Sequence, residues 1–358
     1  MPACLPSLTR VRCAWQVSFW PLLARNKRSV ALDLKHADSR PAVEALLAET
    51  DVLIENFAAG TMSRLGLGYE QLRERHPRLI YVECKGFSRL GPYAERSALD
   101  EVVQMMSGLA TMTGPEGRPL RAGASVVDIV AGLYASIGTL AALHERARTG
   151  TGQLVGASLF ESAAFLVGQH VVQHGITGEP LRPMPAGDRA WGVYDIFRSA
   201  EGKPVFVGVV SDAQWRDFVH VFGLSDLGTN AALSTNNQRM ASREWLVPTI
   251  AEACAKLSTA ELLAKCEEAG LAFGPVNSPE DLLSDPHLNA GGAMREVLVG
   301  GRGVKTPRLP LDLGGRQFSV RSQPPRLGEH TRASLLEAGL SSSAVEELVA
   351  TGLVVAAQ

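Results

Sequence analysis

The chain has 358 residues, of which 46% are hydrophobic and 20% are charged, a composition typical of globular proteins. Its 35 basic and 37 acidic side chains leave a formal net charge of −2, which excludes a general attraction to nucleic acid or to an anionic membrane. Two domains are predicted, because single cores stop growing beyond roughly 250–300 residues.

The cysteines and the first residues bear on where the protein works. Five cysteines without C-x-x-C spacing predict neither a disulfide framework nor a zinc site, so a cytoplasmic location is expected. No uninterrupted apolar run reaches the ~18 residues of a membrane span. Residues 1–25 superficially resemble a signal peptide, but Gln16, Ser18 and Pro21 interrupt the apolar stretch. For residues 1–25 we favour a misplaced start or a lost upstream segment over a targeting segment.

Strand and helix patterns alternate after this segment. Residues 29–34, 51–55 and 78–84 are β-branched, apolar strands separated by helical stretches. This alternation predicts parallel βαβ units in a doubly wound, Rossmann-like α/β sheet. Ligands bind such sheets at the carboxyl ends of the strands, which here lead into residues 56–60 and 85–87.

A long apolar helix is predicted over residues 128–148. Its apolar residues follow helical spacing, and Gly150 supplies a stop signal just past its end. A single carboxylate, Asp128, lies at its start. Asp128 is either an N-cap or first-turn residue that the helix dipole stabilises, or an exposed nucleophile that forms covalent acyl intermediates.

The second half of the chain has a different pattern. A linker rich in Pro and Gly at residues 175–192 predicts a domain boundary. We divide the chain into the first part of a large domain (1–185), a smaller α+β domain (186–292) and a C-terminal segment (293–358) that returns to the large domain. The predicted strands and helices of the smaller domain lie at residues 193–198, 205–210, 213–222, 243–257 and 259–269.

Several common sites lack sequence support. The chain has neither a G-x-G-x-x-G motif between a strand and a helix nor a P-loop, which argues against nicotinamide and P-loop nucleotide binding. His170 and His174 are four residues apart on a predicted helix, but no third metal ligand accompanies them. We therefore expect neither a metal nor a tightly bound cofactor.

Short motifs follow one another at the predicted joints and helix ends. They are N-K-R-S-V at 26–30, L-D-L-K at 32–35, E-N-F-x-x-G at 55–60, R-L-G at 64–66, H-P-R-L-I-Y at 76–81, K-G-F-x-x-x-G-P-Y at 85–93, Asp128, R-x-R-T-G-T-G-Q at 146–153 and L-G-E-H-T at 327–331. Each motif is weak alone. As an ordered set they resemble the family III CoA-transferases of the CaiB/BaiF type.

The resemblance implies a chemistry in which CoA passes from an acyl-CoA donor to a small carboxylic acid. The residue matching Asp128 attacks the thioester, giving a mixed aspartyl anhydride and then an aspartyl-CoA thioester. We expect this carboxylate to be ionised by the helix N-terminus and shielded from water by Val126, Val127 and Ile129. An interlocked homodimer is also implied.

By the same resemblance, a set of positions matches the family's CoA contacts. These positions are Leu32, Asp33, Leu34, Lys35, Asn56, Phe57, Ala58, Arg64, Arg96, Ser97, Ala98 and Leu99. Lys35, Arg64 and Arg96 have the charge to bind phosphate groups. Lys85 and Arg89 cluster with Arg96 near the ends of the predicted strands.

Two alternatives remain open. The family also contains α-methylacyl-CoA racemases, which use the same Asp with a His at the place of Leu99. Racemisation needs two acid–base groups and Leu99 carries no proton, which favours transfer. Residues 1–25 do not match the family's usual opening with its L-A-G-P-like loop, so a catalytically silent, structural family member is the second alternative. The sequence identifies neither the acyl donor nor the acceptor acid.

Overall fold

The structure is a computed structural model that describes residues 14–184, 190–316 and 318–356. The predicted boundary between residues 185 and 186, and residues 1–13 of the N-terminal segment, lie outside the described residues. The chain forms two compact units, one of Met1–Gly187 with Met294–Gln358 and the other of Asp188–Ala293.

The first unit begins with nine α-helices and four strands within the described residues 14–184. The helices are α1 (Ala14–Leu23), α2 (Arg40–Ala48), α3 (Thr61–Arg64), α4 (Tyr69–Arg75), α5 (Asp100–Met106), α6 (Leu109–Thr113), α7 (Val126–Thr149), α8 (Leu159–Leu166) and α9 (Gly168–Thr177). The strands are β1 (Ala31–Leu32), β2 (Val52–Glu55), β3 (Ile80–Lys85) and β4 (Leu154–Ser158).

A parallel sheet with the order β2-β3-β4 lies at the centre of this unit. Val52 is paired with Ile80, and Tyr81 with Leu154. One face packs against α7, where small residues allow a close approach: a Cβ at Gly138 would lie 2.6 Å from Val155. The other face packs on the apolar side chains of α2, α3 and α4. The predicted α/β fold class with a parallel sheet is therefore confirmed.

The first predicted strand is not part of this sheet. Of residues 29–34, only β1 is a strand, and it pairs antiparallel with β10 (Val354–Val355) near the C-terminus. The expectation that it forms a parallel βαβ unit was wrong, because its backbone donors are bonded elsewhere. Ala31 donates to the Thr331 hydroxyl, and Asp33 donates to the carbonyl of Leu353.

Helix α7 begins at Val126 and is followed by Gly150, which has a φ of 79° and donates its N–H to Arg146. By length and composition it would also be long and apolar enough to cross a membrane, with a mean hydropathy of 1.8. We found no uninterrupted apolar run of this length in the sequence, whereas the mean hydropathy of α7 passes the test. One such helix is weak evidence for a membrane span. Helices α8 and α9 are separated at Val167, and His170 and His174 lie on α9.

The second unit combines an antiparallel sheet with helices. Its elements are β5 (Val193–Arg198), β6 (Pro204–Val209), α10 (Asp212–Val221), α11 (Ser225–Gly228), α12 (Asn236–Ala241), α13 (Arg243–Cys254), α14 (Thr259–Glu268), β7 (Ala272–Pro275) and α15 (Pro286–Ala290). The strand order is β5-β6-β7, and the turn of the β5–β6 hairpin lies between Arg198 and Pro204, which are paired. The core of this unit contains Trp215, Phe218 and Leu246.

The rest of the first unit is C-terminal. It comprises β8 (Met294–Val299), β9 (Arg302–Pro307), α16 (Thr331–Glu337), α17 (Ser342–Ala350) and β10. Strands β8 and β9 form a hairpin, and Trp20 of α1 donates its indole N–H to the carbonyl of Pro325, which is distant in sequence. Leu335, Val345 and Leu348 pack with Ala42 of α2, which joins the C-terminal helices to the first part of the unit.

Candidate active site

The N-terminus of α7 is bonded to a carboxylate from another helix. Asp100 is the first residue of α5 and is buried. Its Oδ2 accepts the backbone N–H of Val127 at 2.8 Å and that of Asp128 at 3.2 Å. Free N–H groups at a helix start favour a negative charge, so Asp100 takes the place of a capping residue for α7.

A buried glutamine orients Asp100. The Gln104 amide donates from Nε2 to Asp100 Oδ1 at 2.5 Å, and Gln104 Oε1 accepts the backbone N–H of Ala122 at 2.8 Å. Gln104 is fully buried, so both ends of its amide are used within the protein. Because Asp100 receives three N–H donors, its two oxygens are held in one orientation next to the start of α7.

Asp128 is the third residue of α7, beyond the N-cap position that Ser125 occupies. Of the two positions in our first interpretation, N-cap or first turn, the structure confirms the first turn for Asp128. Its side chain is exposed in the single chain. The surrounding protein atoms nevertheless displace part of the water around its carboxyl, and this desolvation, followed by the charge of Asp100, raises the pKa of Asp128 above the ordinary value, while Arg121 acts in the opposite direction.

This environment differs from the expected one. We expected the helix N-terminus to favour the ionised form of Asp128, but Asp100 already accepts the N–H groups of Val127 and Asp128, and its charge opposes a second carboxylate. We also expected neighbours to exclude water, and only Val127 is buried, whereas Ile129 is exposed. The opposing cation, Arg121, is itself paired with Glu101.

The ends of β2 and β3 are joined by a buried ion pair. Glu55 is the last residue of β2, and Lys85 Nζ lies 2.6 Å from its Oε1. Lys85 also donates to the carbonyl of Phe57 at 2.7 Å, and the Phe57 N–H donates to Glu55 at 2.8 Å. Lys85, which we expected to cluster with Arg89 and Arg96 near the strand ends, therefore holds in place the joint that carries the exposed residues Asn56, Phe57 and Ala58.

A pocket of about 230 Å³ is lined by the segment that follows β1, by the start of α2 and by the end of α3. It brings together Leu34, Lys35 and Arg64 of the expected CoA contacts, together with His36 and Arg40. Three of these side chains are cations, which suits a phosphate group. Leu32 packs in the core, and Asp33 accepts the backbone N–H of Lys35 at 2.9 Å.

The remaining expected contacts precede α5. The Arg96 guanidinium lies over the Tyr93 ring at 4.6 Å, and Ser97 is exposed. Ala98 packs closely on Gly86: a Cβ added at Gly86 would lie 2.4 Å from the Cβ of Ala98. Leu99 is 68% exposed and leads directly into Asp100, so these residues are continuous with the acid next to Asp128. Leu99 is aliphatic and cannot act as the second base of a racemase.

Comparison with known proteins identifies the family. The model of CoA-transferase family III matches residues 6–331. The chain belongs to CoA-transferase family III. The match begins upstream of Asn26, where the first recognisable motif starts, so it covers more of the N-terminal region than the motifs indicated.

Curated relatives and a solved structure agree with this assignment. The chain is 33% identical to an acyl-CoA transferase of Fusarium pseudograminearum, over 96% of this chain and 77% of that protein. It is 32% identical to a succinate–glutarate CoA-transferase of Agrobacterium fabrum, over 87% and 78%. A CaiB/BaiF family protein from Brucella suis is similar with a TM-score of 0.80 and 30% identity, over 90% and 84%.

Two residues of this CoA-transferase site were missed in the sequence. Neither Asp100 nor Gln104 was among the candidate residues. An acid at the start of a helix is usually a first-turn residue of that helix, so its contact with α7 could not be expected from spacing. Among the described residues, no group of three His, Cys, Asp or Glu side chains is arranged to hold a metal ion.

Proposed function

We propose that this CoA-transferase moves CoA from an acyl-CoA to a small carboxylic acid, with Asp128 as the covalent nucleophile. The observation that carries the proposal is the exposed carboxylate of Asp128 on the first turn of α7, next to the Asp100 carboxylate that caps the helix. The name of the relative that acts on succinate and glutarate supports a small carboxylic acid as the acceptor.

The reaction proceeds through acyl exchange at Asp128. Its carboxylate oxygen attacks the thioester carbonyl, the C–S bond breaks, and CoA leaves as a thiolate beside a mixed anhydride. The thiolate then attacks the Asp128 carbonyl of the anhydride and releases the donor acid, which leaves an aspartyl-CoA thioester. The acceptor carboxylate repeats the first step on this thioester, and the thiolate finally attacks the acceptor's carbonyl. Each step exchanges one acyl bond for another, and Asp128 ends as a free carboxylate.

Asp100 and Arg121 set the charge balance for the first step. A carboxylate with a raised pKa is a better nucleophile when ionised, and the charge of Asp100 contributes to raising the pKa of Asp128. Arg121 opposes this effect and favours the ionised form. The bonds from Val127 and Asp128 to Asp100 hold the first turn of α7 in place, so Asp128 is presented in one position.

The CoA contacts inferred from the family are proposed to act here as well. The pocket around Lys35 and Arg64 receives a phosphate group of CoA, and Asn56–Ala58 contact it where β2 ends. Arg96 to Leu99 line the path toward Asp128, because they lead into Asp100. The bond from Lys85 to Phe57 holds the Asn56–Ala58 joint in place.

A homodimer in the cytoplasm is proposed as the working form. Ile129, Leu133, Ile137 and Leu140 form an apolar stripe along α7 and are 57% to 66% exposed. Val171, Val172 and Ile176 of α9 are exposed as well. Contiguous apolar surface of this kind is typical of subunit interfaces, and a second copy would also shield Asp128 from water. Cys254 and Cys266 are free, buried thiols, which suits a reducing compartment.

Trapping the intermediate tests the proposed nucleophile. The protein is incubated with a succinyl-CoA donor and hydroxylamine, digested, and examined by mass spectrometry. A hydroxamate is expected at Asp128, and the Asp128→Ala variant should lose transfer activity. Glu145→Gln, which changes an exposed carboxylate at the other end of α7, is the matched control and should keep wild-type rates. Wild-type transfer by Asp128→Ala would refute the assignment, and no transfer with any acyl donor would favour the silent alternative.

A further inference from the structure

Two of the sequence motifs bind each other, although they lie at opposite ends of the chain. The Ser29 N–H donates to His330 Nδ1 at 3.2 Å, and the His330 N–H donates back to the Ser29 carbonyl at 3.0 Å. The N–H of Gly328 donates to Ser29 Oγ at 3.0 Å. Gly328 has a φ of +68°, and a Cβ there would lie 2.2 Å from the Val355 carbonyl oxygen, so this approach requires glycine.

Thr331, the residue after His330, also bonds to the segment around β1. Its hydroxyl accepts the Ala31 N–H at 3.1 Å and donates to the Val355 carbonyl at 2.7 Å. Thr331 is fully buried, so both groups would lack this partner if the hydroxyl were removed. The N–H of Asp33 then donates to the Leu353 carbonyl at 2.9 Å.

These bonds determine where the chain enters the basic pocket. The N–H groups of residues 29, 31 and 33 all donate to C-terminal residues, and Asp33 in turn accepts the N–H of Lys35. Lys35 and His36 line the pocket with Arg64. Because β1 lies outside the parallel sheet, its position depends on these C-terminal partners rather than on strand neighbours such as β2.

We propose that His330 and Thr331 are positioning residues for CoA binding: by fixing residues 29–33, they place Lys35 in the pocket that receives a phosphate of CoA. This inference rests on the proposed function, because it assigns that pocket to CoA. Attachment of the C-terminal helices to the unit has a separate source, since Leu335, Val345 and Leu348 pack with Ala42. The polar bonds therefore add precision of placement to an interface that apolar packing already holds.

The first test compares two substitutions of Thr331 in the full-length protein. Thr331→Val keeps the shape but removes the hydroxyl, whereas Thr331→Ser keeps the hydroxyl. We expect Thr331→Val to bind free CoA about tenfold more weakly in calorimetry, because small misplacements of binding groups are costly, and Thr331→Ser to bind like wild type. In steady-state transfer, the KM for acyl-CoA should rise while kcat at saturation changes little.

The second test uses His330, in case Thr331→Val does not fold. His330→Leu removes the acceptor for Ser29, and His330→Asn retains one; only His330→Leu should weaken CoA binding. Ser199→Ala is the matched control, since it removes another buried hydroxyl, which in the second unit bonds to Glu201 and Thr259. It should lower stability without changing CoA affinity.

The outcomes separate this inference from the proposed function. Wild-type CoA affinity in both Thr331→Val and His330→Leu would overturn the inference alone. Equal weakening by Ser199→Ala would also overturn it, because the effect would then reflect general stability. Failure of the wild-type protein to bind CoA at all would overturn the proposed function and, with it, this inference.

Discussion

The carboxylate of Asp100 accepts the backbone N–H of Asp128 at 3.2 Å, so two acids from different helices meet at the first turn of α7. One is buried and bonded to three N–H donors, and the other is exposed. The buried acid holds the backbone of the exposed one and also acts on it as a like charge. Asp100 therefore caps the helix, and Asp128 is the exposed carboxylate; the sequence alone offered both roles for Asp128.

Replacing Asp100 with Asn should change the pH dependence of transfer. Asp128 must be ionised to attack, so activity falls as the pH drops through its raised pKa. Asp100→Asn removes the like charge, and the acid limb of the kcat/KM profile should therefore move to lower pH. The maximal rate should also fall, because the amide cannot accept as many N–H groups as the carboxylate. Glu145→Gln serves as the control, and an unchanged acid limb in Asp100→Asn would contradict this account.

The same raised pKa predicts how stability depends on pH. The folded state binds the Asp128 proton more tightly than the unfolded state does, so stability from this group falls as pH rises between the unfolded and the folded pKa. Asp128→Asn removes this unfavourable ionisation. The variant should therefore be more stable than wild type at pH 7, and the difference should diminish below the unfolded pKa of Asp. Urea unfolding at pH 7 and at about pH 3, below the unfolded pKa of Asp, measures both values; a variant that is less stable at pH 7 would rule this out.

Local patterns predicted the parallel sheet because the segments that form β2 and β3 are mainly apolar and alternate with helices, and this alternation is typical of parallel pairing. They failed for β1, which has the same apolar character but pairs with β10, more than 300 residues away. Strand composition indicates burial and not the partner, so such a long-range pairing is not readable from one sequence.

In the candidate site, too, local properties could be predicted from the sequence and long-range contacts could not. Asp128 was found because the residue type and its place at a helix start are local properties. The environment of Asp128 could not be predicted, because the contact with Asp100 depends on how α5 packs against α7. Likewise, the sequence grouped Lys85 with Arg89 and Arg96 near the strand ends, whereas the buried carboxylate of Glu55 with which Lys85 pairs lies thirty residues away on another strand.

Removing the Lys85 charge should destabilise the first unit. The Glu55 side chain is 3% exposed, so Lys85→Met would leave a buried carboxylate without its cation. Breaking such a pair costs about 3–5 kcal/mol of the free energy of unfolding, whereas replacing both partners is far less costly. Lys85→Met with Glu55→Gln should therefore recover much of the loss.

Urea unfolding of the two single variants and the double variant gives the coupling energy. CoA affinity provides a second measurement, because Lys85 also holds the carbonyl of Phe57. Additive effects of the two substitutions would mean that the pair is not coupled in the way the contacts imply.

The apolar stripe of α7 makes the proposed dimer testable by one charged substitution. Leu140 is 66% exposed in the single chain, and burying a leucine contributes roughly 1.5–3 kcal/mol. In a symmetric dimer each substitution acts twice, so Leu140→Glu should raise the dissociation constant at least about 100-fold. Asn237→Glu adds the same charge at an exposed polar position of α12 and should leave association unchanged. Sedimentation velocity over a concentration series measures both, and transfer rates show whether the separated chains are active. A folded, active wild-type monomer would refute the dimer, and binding of that monomer to lipid vesicles would instead assign the stripe to a membrane surface.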